Sequence, residues 1–250
     1  MGSNSTDTHT SDSLLVPEQS SRSPTLSVVL PTLNEAQGIA TCITKVKRAI
    51  ATLGVQAEII VSDSSSDSTP RIATEMDAIV VTPDKPGYGS ACRYGFERSR
   101  GDYLVMGDAD TTYDFEEIPP LVDCVMSDNA DIVLGSRFDG TILPGAMPPL
   151  HRYLGNPLLT KLLTCCYDLE VSDAHSGLRV LSRDAYQTLQ LDSNGMEFAS
   201  EMLMAAQAEG LRIEELPITY HERVGEATLE SFSDGWRHLK YIVSNRSEYQ

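Results

Sequence analysis

The chain has little lysine, few aromatic residues and no long apolar run. Five of its 250 residues are Lys and one is Trp, and 36 Asp and Glu face 19 Lys and Arg, for a net charge of −17. A field of that sign repels nucleic-acid phosphates and anionic lipid surfaces, so any phosphate ligand has to be met by cations placed locally. A Lys-poor, acid-rich surface suits a high-salt cytoplasm, where salt screens long-range repulsion, and the composition reads as halophilic. The five cysteines, at positions 42, 92, 124, 165 and 166, contain no C-x-x-C pair. They read as reduced thiols rather than a disulfide framework or a zinc site. No apolar stretch reaches membrane-span length, and the first 25 residues have neither an apolar core nor basic flanks, so a soluble, non-exported, cytoplasmic chain is expected. The P-loop pattern is missing, which removes most NTPases. Gly87, Gly89 and Gly95 do not have the G-x-G-x-x-G spacing of a dinucleotide fingerprint.

What is present is enough apolar residue, 41% of the chain, for one α/β domain with a large core. Residues 1–24 are rich in Ser, Thr, Asp and Asn and are expected to be a disordered tail. The domain is expected over 25–230, with a C-terminal helix, a candidate membrane-facing element, over 231–250. Apolar runs at Leu26–Leu30, Ala57–Val61 and Ala78–Val81 read as strands, and helical spacing runs from Glu35 to Leu53 and through Arg71–Glu75. Strands alternating with helices of this length imply a mostly parallel sheet flanked by helices and joined by right-handed crossovers. The Ser and Asp side chains of SDSSSDST, 62–69, are expected to cap the helix that follows.

The stretch that organises this pattern is DYLVMGDADTTYD, 102–114. Tyr103–Met106 reads as a buried parallel strand, after which Gly107 turns the backbone and Asp108 and Asp110 project from the strand's carboxyl end. Open α/β sheets bind their ligands at that edge. Two carboxylates one residue apart can share a hard divalent cation, and Mg²⁺ usually takes only one or two protein carboxylates, leaving other positions to water and phosphate. Read alone, the pair is equally an acidic loop.

PTLNE at 31–35, SDSSSDST at 62–69, GYGSACRYG at 87–95 and GDADTTYD at 107–114 together resemble the nucleotide-sugar half of family 2 glycosyltransferases of the GT-A fold. GSRF at 135–138, HRYLGN at 151–156, DAHSGLR at 173–179, MEFASEM at 196–202 and ELPITYHERVG at 215–225 narrow the resemblance to polyprenyl-phosphate (dolichyl-phosphate) hexosyltransferases. The likeness runs from residue 26 to about 241. It implies that Pro31, Leu33, Glu35, Asp63, Gly89, Asp108 and Ala109 bind the nucleotide sugar, and that Asp108 and Asp110 hold Mg²⁺ or Mn²⁺. It further implies that Arg137, Arg152 and Arg223 gather the diphosphate and the lipid phosphate, with Asp110, Arg137, Arg223 and Asp173 in catalytic positions. Arg suits such a task because its planar fork binds phosphate bidentately.

The chain also departs from the family. Ser62 precedes Asp63 where relatives often have a second Asp, Thr112 stands where some carry Gln, and Ala227, Thr228 and Leu229 replace Ser-Lys-Leu. The implied reaction is inverting transfer of a hexose, from GDP-mannose or UDP-glucose, to a polyprenyl phosphate. A phosphate monoester acceptor, with a second pKa near ~6, is already an anion and needs no general base. Had the acceptor been a glycan hydroxyl, Asp173 or Glu197 would be the candidate base. A non-catalytic sugar-nucleotide-binding module is the third reading. For contact with a membrane surface the candidates are Leu143–Tyr167, equally a core-packing helix, and Phe232–Val243 with Trp236, Leu239, Lys240 and Tyr241. His151, His175, His221 and His238 lack zinc-ligand spacing and read as packing or acceptor-pocket residues. No nucleic-acid partner is expected.

Overall fold

The structure is a computed structural model that describes residues 14–225, 231–245 and 249. One seven-stranded sheet organises it: β1 (Leu26–Thr32), β2 (Ala57–Asp63), β3 (Ile79–Val81), β4 (Tyr103–Met106), β5 (Ile132–Ile142), β6 (Arg179–Ser182) and β7 (Ile213–Tyr220), in the order β3-β2-β1-β4-β6-β5-β7. β1 pairs in parallel with β2 and β4, β2 with β3, and β5 with β7, whereas β6 runs antiparallel to both β4 and β5. The reversal of β6 has a functional consequence. The carboxyl ends of six strands and the amino end of β6 share one edge, so the loop entering β6, residues 173–178, joins the loops that leave β1, β2, β4, β5 and β7.

The helices are α1 (Ile39–Leu53), α2 (Thr69–Glu75), α3 (Tyr88–Arg98), α4 (Ile118–Met126), α5 (Asn156–Tyr167), α6 (Arg183–Thr188), α7 (Phe198–Ala208) and α8 (Ser231–Ser244). They cover both faces of the sheet with two apolar layers. One joins Val28, Leu30, Ile43, Val46, Ile59 and Val122; the other joins Val29, Ile60, Phe96, Leu104, Leu163 and Met202. The alternation follows from the pleat: Val28 and Leu30 face one layer while Val29 faces the other.

Several boundaries differ from expectation. The apolar pattern from Glu35 becomes helix only at Ile39, because Asn34 holds φ at 59° and the Glu35 carbonyl accepts from both Gly38 and Ile39 N–H, closing a turn ahead of the helix. The start of α2 agrees with expectation: Asp67 of the 62–69 loop holds it, its Oδ1 accepting from the Thr69 N–H and hydroxyl, while the N-cap residue Ser68 makes no side-chain cap bond. The disordered tail expected over 1–24 is corrected over 14–24. The Val16 N–H donates to the Ala57 carbonyl at 2.8 Å, and the Val16 side chain is buried. Two residues drive this docking. Glu58 is 1% exposed on β2, and its carboxylate accepts from Ser27 Oγ and from the Arg100 N–H and Nε. The same Arg100 guanidinium donates to the carbonyls of Val16, Pro17, Glu18 and Ser20. Residues 1–13, Ala227, Thr228 and Leu229, and the side chain of Trp236 lie outside the described residues.

Arg100→Met leaves the Glu58 carboxylate buried without its cation, so urea unfolding should show a loss of about 3 kcal/mol. Proteolysis at 14–24 should accelerate in the same variant.

Candidate functional site

Three carboxylates and one guanidinium meet at the shared sheet edge. Asp108 and Asp110 follow β4, Glu35 lies in the turn between β1 and α1, and Arg223 comes from the segment after β7. That segment is pinned by its backbone: the His221 N–H donates to the Thr112 carbonyl at 2.8 Å and the Val224 N–H to the Asp110 carbonyl at 3.0 Å. Arg223 Nη1 then reaches Asp110 Oδ2 at 2.7 Å, and Nη2 reaches Glu35 Oε1. Asp110 Oδ1 is already taken, accepting from the Thr112 N–H at 3.0 Å and its hydroxyl at 2.6 Å. Thr112 therefore orients Asp110, and Thr111, at φ 70°, supplies the turn that makes this reach possible.

Crowding like charges away from water raises their proton affinity. Burial, and then the neighbouring Asp110, push Asp108 up to about 6. Burial pushes Glu35 up to about 7, against the pull of Arg223. Asp108 Oδ1 is buried and accepts no hydrogen bond, although the Tyr88 hydroxyl lies beside this carboxylate. An orphaned hard oxygen next to a second carboxylate fits a divalent cation, which normally keeps water and phosphate in its other positions. Asp108 and Asp110 would hold it. Among the described residues, no group of three or more His, Cys, Asp or Glu is placed to hold a metal ion. Gly177 is part of this geometry: a Cβ there would lie 2.6 Å from Asp108 Oδ2.

The other expected site residues fall in different surroundings. Asp63, at the end of β2, is 4% exposed, and its Oδ1 accepts from the Thr32 and Ser65 hydroxyls at 2.6 Å each. Pro31 is buried in β1, Leu33 is 45% exposed, and Ala109 is 1% exposed within the core, its carbonyl against Gly38. Gly89 is enclosed. Its N–H donates to the Gly195 carbonyl at 3.2 Å, and a Cβ there would lie 2.4 Å from the Ser193 carbonyl, so this glycine accommodates a protein loop and presents no open backbone to a nucleotide.

Arg137 and Asp173 form a buried, bidentate pair. Arg137 Nε and Nη2 donate to the two Asp173 oxygens at 2.7 Å each, and the Arg137 N–H adds a third bond at 3.0 Å. The guanidinium also lies 5.2 Å from the Tyr220 ring centroid. Asp173 is thus committed to holding Arg137, while Glu215 fixes the Ser172 and Asp173 N–H groups. Glu197 turns back toward the Gly195 N–H and pairs with Arg237 at 3.6 Å. Arg152 sits on the π-helical turn His151–Gly155, its guanidinium 5.5 Å from the Tyr153 ring centroid, with no ion pair to the carboxylates above. The fully buried Arg179 went unassigned in the sequence. Its guanidinium donates to the carbonyls of Ala174, Ser176 and Ala199, tying the 173–178 loop to α7. The DAHSGLR motif contains it, but spacing alone does not reveal carbonyl partners.

Residues 27–190 match the profile of glycosyl transferase family 2. The chain belongs to this family. It is 58% identical over 241 residues to the low-salt glycan biosynthesis hexosyltransferase Agl6 of Haloferax volcanii, covering 96% of this chain and 58% of that protein. It therefore spans little more than half of that relative's length. A dolichyl-phosphate hexose transferase of the same organism is 34% identical over 220 residues, covering 87% of this chain and 92% of its own. The glucosyl-3-phosphoglycerate synthase of Mycobacterium tuberculosis, solved with Mn²⁺, UDP and glucosyl-3-phosphoglycerate, superposes with a TM-score of 0.69 at 24% identity, over 89% of this chain and 80% of its own. That likeness establishes the GT-A fold.

In this family-2 chain, Asp173→Asn and Arg137→Met should each cost about 3 to 5 kcal/mol in urea unfolding, because each strands a buried charge. The double variant should cost clearly less than the sum, a coupling that a double-mutant cycle measures directly.

Proposed function

We propose that this glycosyltransferase moves a hexose, with inversion, from a nucleotide sugar such as GDP-mannose or UDP-glucose to a polyprenyl (dolichyl) phosphate. The observation that carries the reading is the Asp108, Asp110, Glu35 and Arg223 cluster at the ligand-binding edge of the sheet. A cation held by Asp108 and Asp110, Mg²⁺ or Mn²⁺, supplies charge stabilisation to a departing nucleoside diphosphate. Asp63, beside Pro31 and Leu33, belongs to the nucleotide end, and Arg223 stands at the border between donor and acceptor. The name of the 34%-identical relative supports the dolichyl phosphate acceptor.

The chain's own residues favour this acceptor over a glycan hydroxyl. A hydroxyl acceptor needs a carboxylate with a free lone pair within hydrogen-bond reach. Asp173 is 0% exposed and accepts three bonds from Arg137, so it is not free to serve as that base. A phosphate acceptor requires only approach and orientation, which cations provide. A binding module without catalysis is disfavoured because Asp108, Asp110 and Arg223 are all present and assembled.

A lipid acceptor calls for contact with a membrane surface, and α5 with its preceding turn offers one. Leu150, Tyr153, Leu154 and Leu158 are 47%, 74%, 57% and 60% exposed and follow helical spacing. No Asp or Glu occurs between Asp139 and Asp168 in this otherwise acidic chain, and Arg152 and Lys161 lie within that interval. Such a face can rest on a headgroup layer from which the rest of the surface is repelled. The membrane would be met from its cytoplasmic side, and no helix among the described residues is long and apolar enough to cross it.

Transfer from a panel of GDP- and UDP-hexoses to a short polyprenyl phosphate should be metal-dependent, and Asp110→Ala should lower it by at least ~10²-fold. Product on a glycan hydroxyl, or nucleotide binding with no transfer from any donor, would contradict the reading. Tyr153→Asp combined with Leu154→Asp should reduce sedimentation with vesicles while leaving transfer to a detergent-dispersed acceptor intact; unchanged sedimentation removes α5 from the membrane contact.

A further inference from the structure

The two oxygens of Asp110 are not equivalent. Oδ1 accepts two bonds from Thr112, and Oδ2 accepts from Arg223 at 2.7 Å. Asp108 Oδ1, in contrast, is buried and accepts none. A cation shared by Asp108 and Asp110 therefore has one uncrowded oxygen on Asp108, while on Asp110 the oxygen not turned to Thr112 is held by Arg223. We propose that Arg223 is the resident cation of this acidic site, parked there by Glu35, and that a donor-bound divalent ion takes over its position on Asp110. The inference rests on the metal-dependent reading above and adds a competition within the site.

The surroundings of Arg223 support an exchange confined to its side chain. The backbone on either side is held by the His221-to-Thr112 and Val224-to-Asp110 bonds, so the strap stays in place. The guanidinium is only partly enclosed, with 23% of the side chain exposed, and it ends a flexible stem. Its Nε is buried and makes no hydrogen bond, so leaving the parked position breaks only the contacts to Asp110 and Glu35. A guanidinium released from Asp110 carries five donors in a planar fork, which suits the anionic oxygens of a diphosphate or of a phosphate monoester. An ion arriving alone displaces Arg223 without offering it a new partner; an ion arriving with a nucleoside diphosphate offers one. The arrangement thus ties metal retention to donor occupancy and keeps part of the negative charge, on Asp110 and Glu35, balanced when no donor is present.

The test is Mn²⁺ affinity, followed by electron paramagnetic resonance on the full chain without nucleotide, for wild type, Arg223→Met and Arg223→Lys. Arg223→Met should bind Mn²⁺ at least about tenfold more tightly than wild type. Arg223→Lys decides the mechanism: it preserves the charge but cannot bridge Asp110 and Glu35 with one fork, so it too should bind more tightly than wild type. With UDP or GDP added, the advantage of both variants should shrink or reverse, because they lack the guanidinium that meets the diphosphate. Folding is checked by circular dichroism and thermal melting. Equal or weaker Mn²⁺ binding by folded Arg223→Met overturns the proposal, as does Arg223→Lys indistinguishable from wild type, which would reduce the effect to net charge. Absence of Mn²⁺ binding in every form overturns it as well. Failure of the acceptor reading is separable: the Mn²⁺ ranking would hold while polyprenyl phosphate received no sugar.

Discussion

The structure depends on gathering Glu35, Asp108 and Asp110 at one sheet edge under a single guanidinium. Like charges held close and partly out of water oppose their own assembly, visible in the upward shifts of Asp108 to about 6 and Glu35 to about 7. Rigid elements enforce the crowding. β4 delivers the two Asp from a strand buried between two apolar layers, Thr112 fixes the Asp110 carboxylate, and the strap after β7 is bonded to the Asp110 and Thr112 carbonyls before Arg223 reaches inward. A site preorganised in this way carries more negative than positive charge, and the proposed cation binding rests on that imbalance.

A second, drier layer of charge supports the first. Arg137 and Asp173 neutralise each other below the acidic site, Glu215 fixes the loop that carries Asp173, and Arg179 ties the same loop to α7 through carbonyls alone. Buried pairs of this kind add little net stability but are costly to break, so they specify one loop geometry. Because β6 runs against its neighbours, this loop lies beside the β4 loop, which is how Gly177 comes to lie against the Asp108 carboxylate.

Much of this was legible in the sequence, for physical reasons that differ by element. β1, β2 and β4 were readable because fully buried strands are short apolar runs, and Asp108, Asp110, Glu35 and Arg223 were singled out before the fold brought them together. The pairing of Arg137 with Asp173 was not readable: both were assigned to chemistry, and nothing in local spacing shows that they neutralise each other across 36 positions. The packing of Gly89 against the 193–195 loop was unreadable for a related reason, since a glycine required by a neighbouring loop carries the same letter as one required by a phosphate. The docking of Val16 escaped notice because a polar, low-complexity stretch conceals the few residues, Val16 and the carbonyls around it, that Arg100, itself held by Glu58, binds.

The most direct test of the central claim is anomalous diffraction from crystals soaked with Mn²⁺ and a nucleoside diphosphate. One strong Mn²⁺ peak should lie at Asp108 and Asp110, with the Arg223 guanidinium withdrawn from Asp110 and facing the diphosphate. A nucleotide bound at this edge with no Mn²⁺ at the two Asp residues, and Arg223 still paired with Asp110 and Glu35, would contradict it.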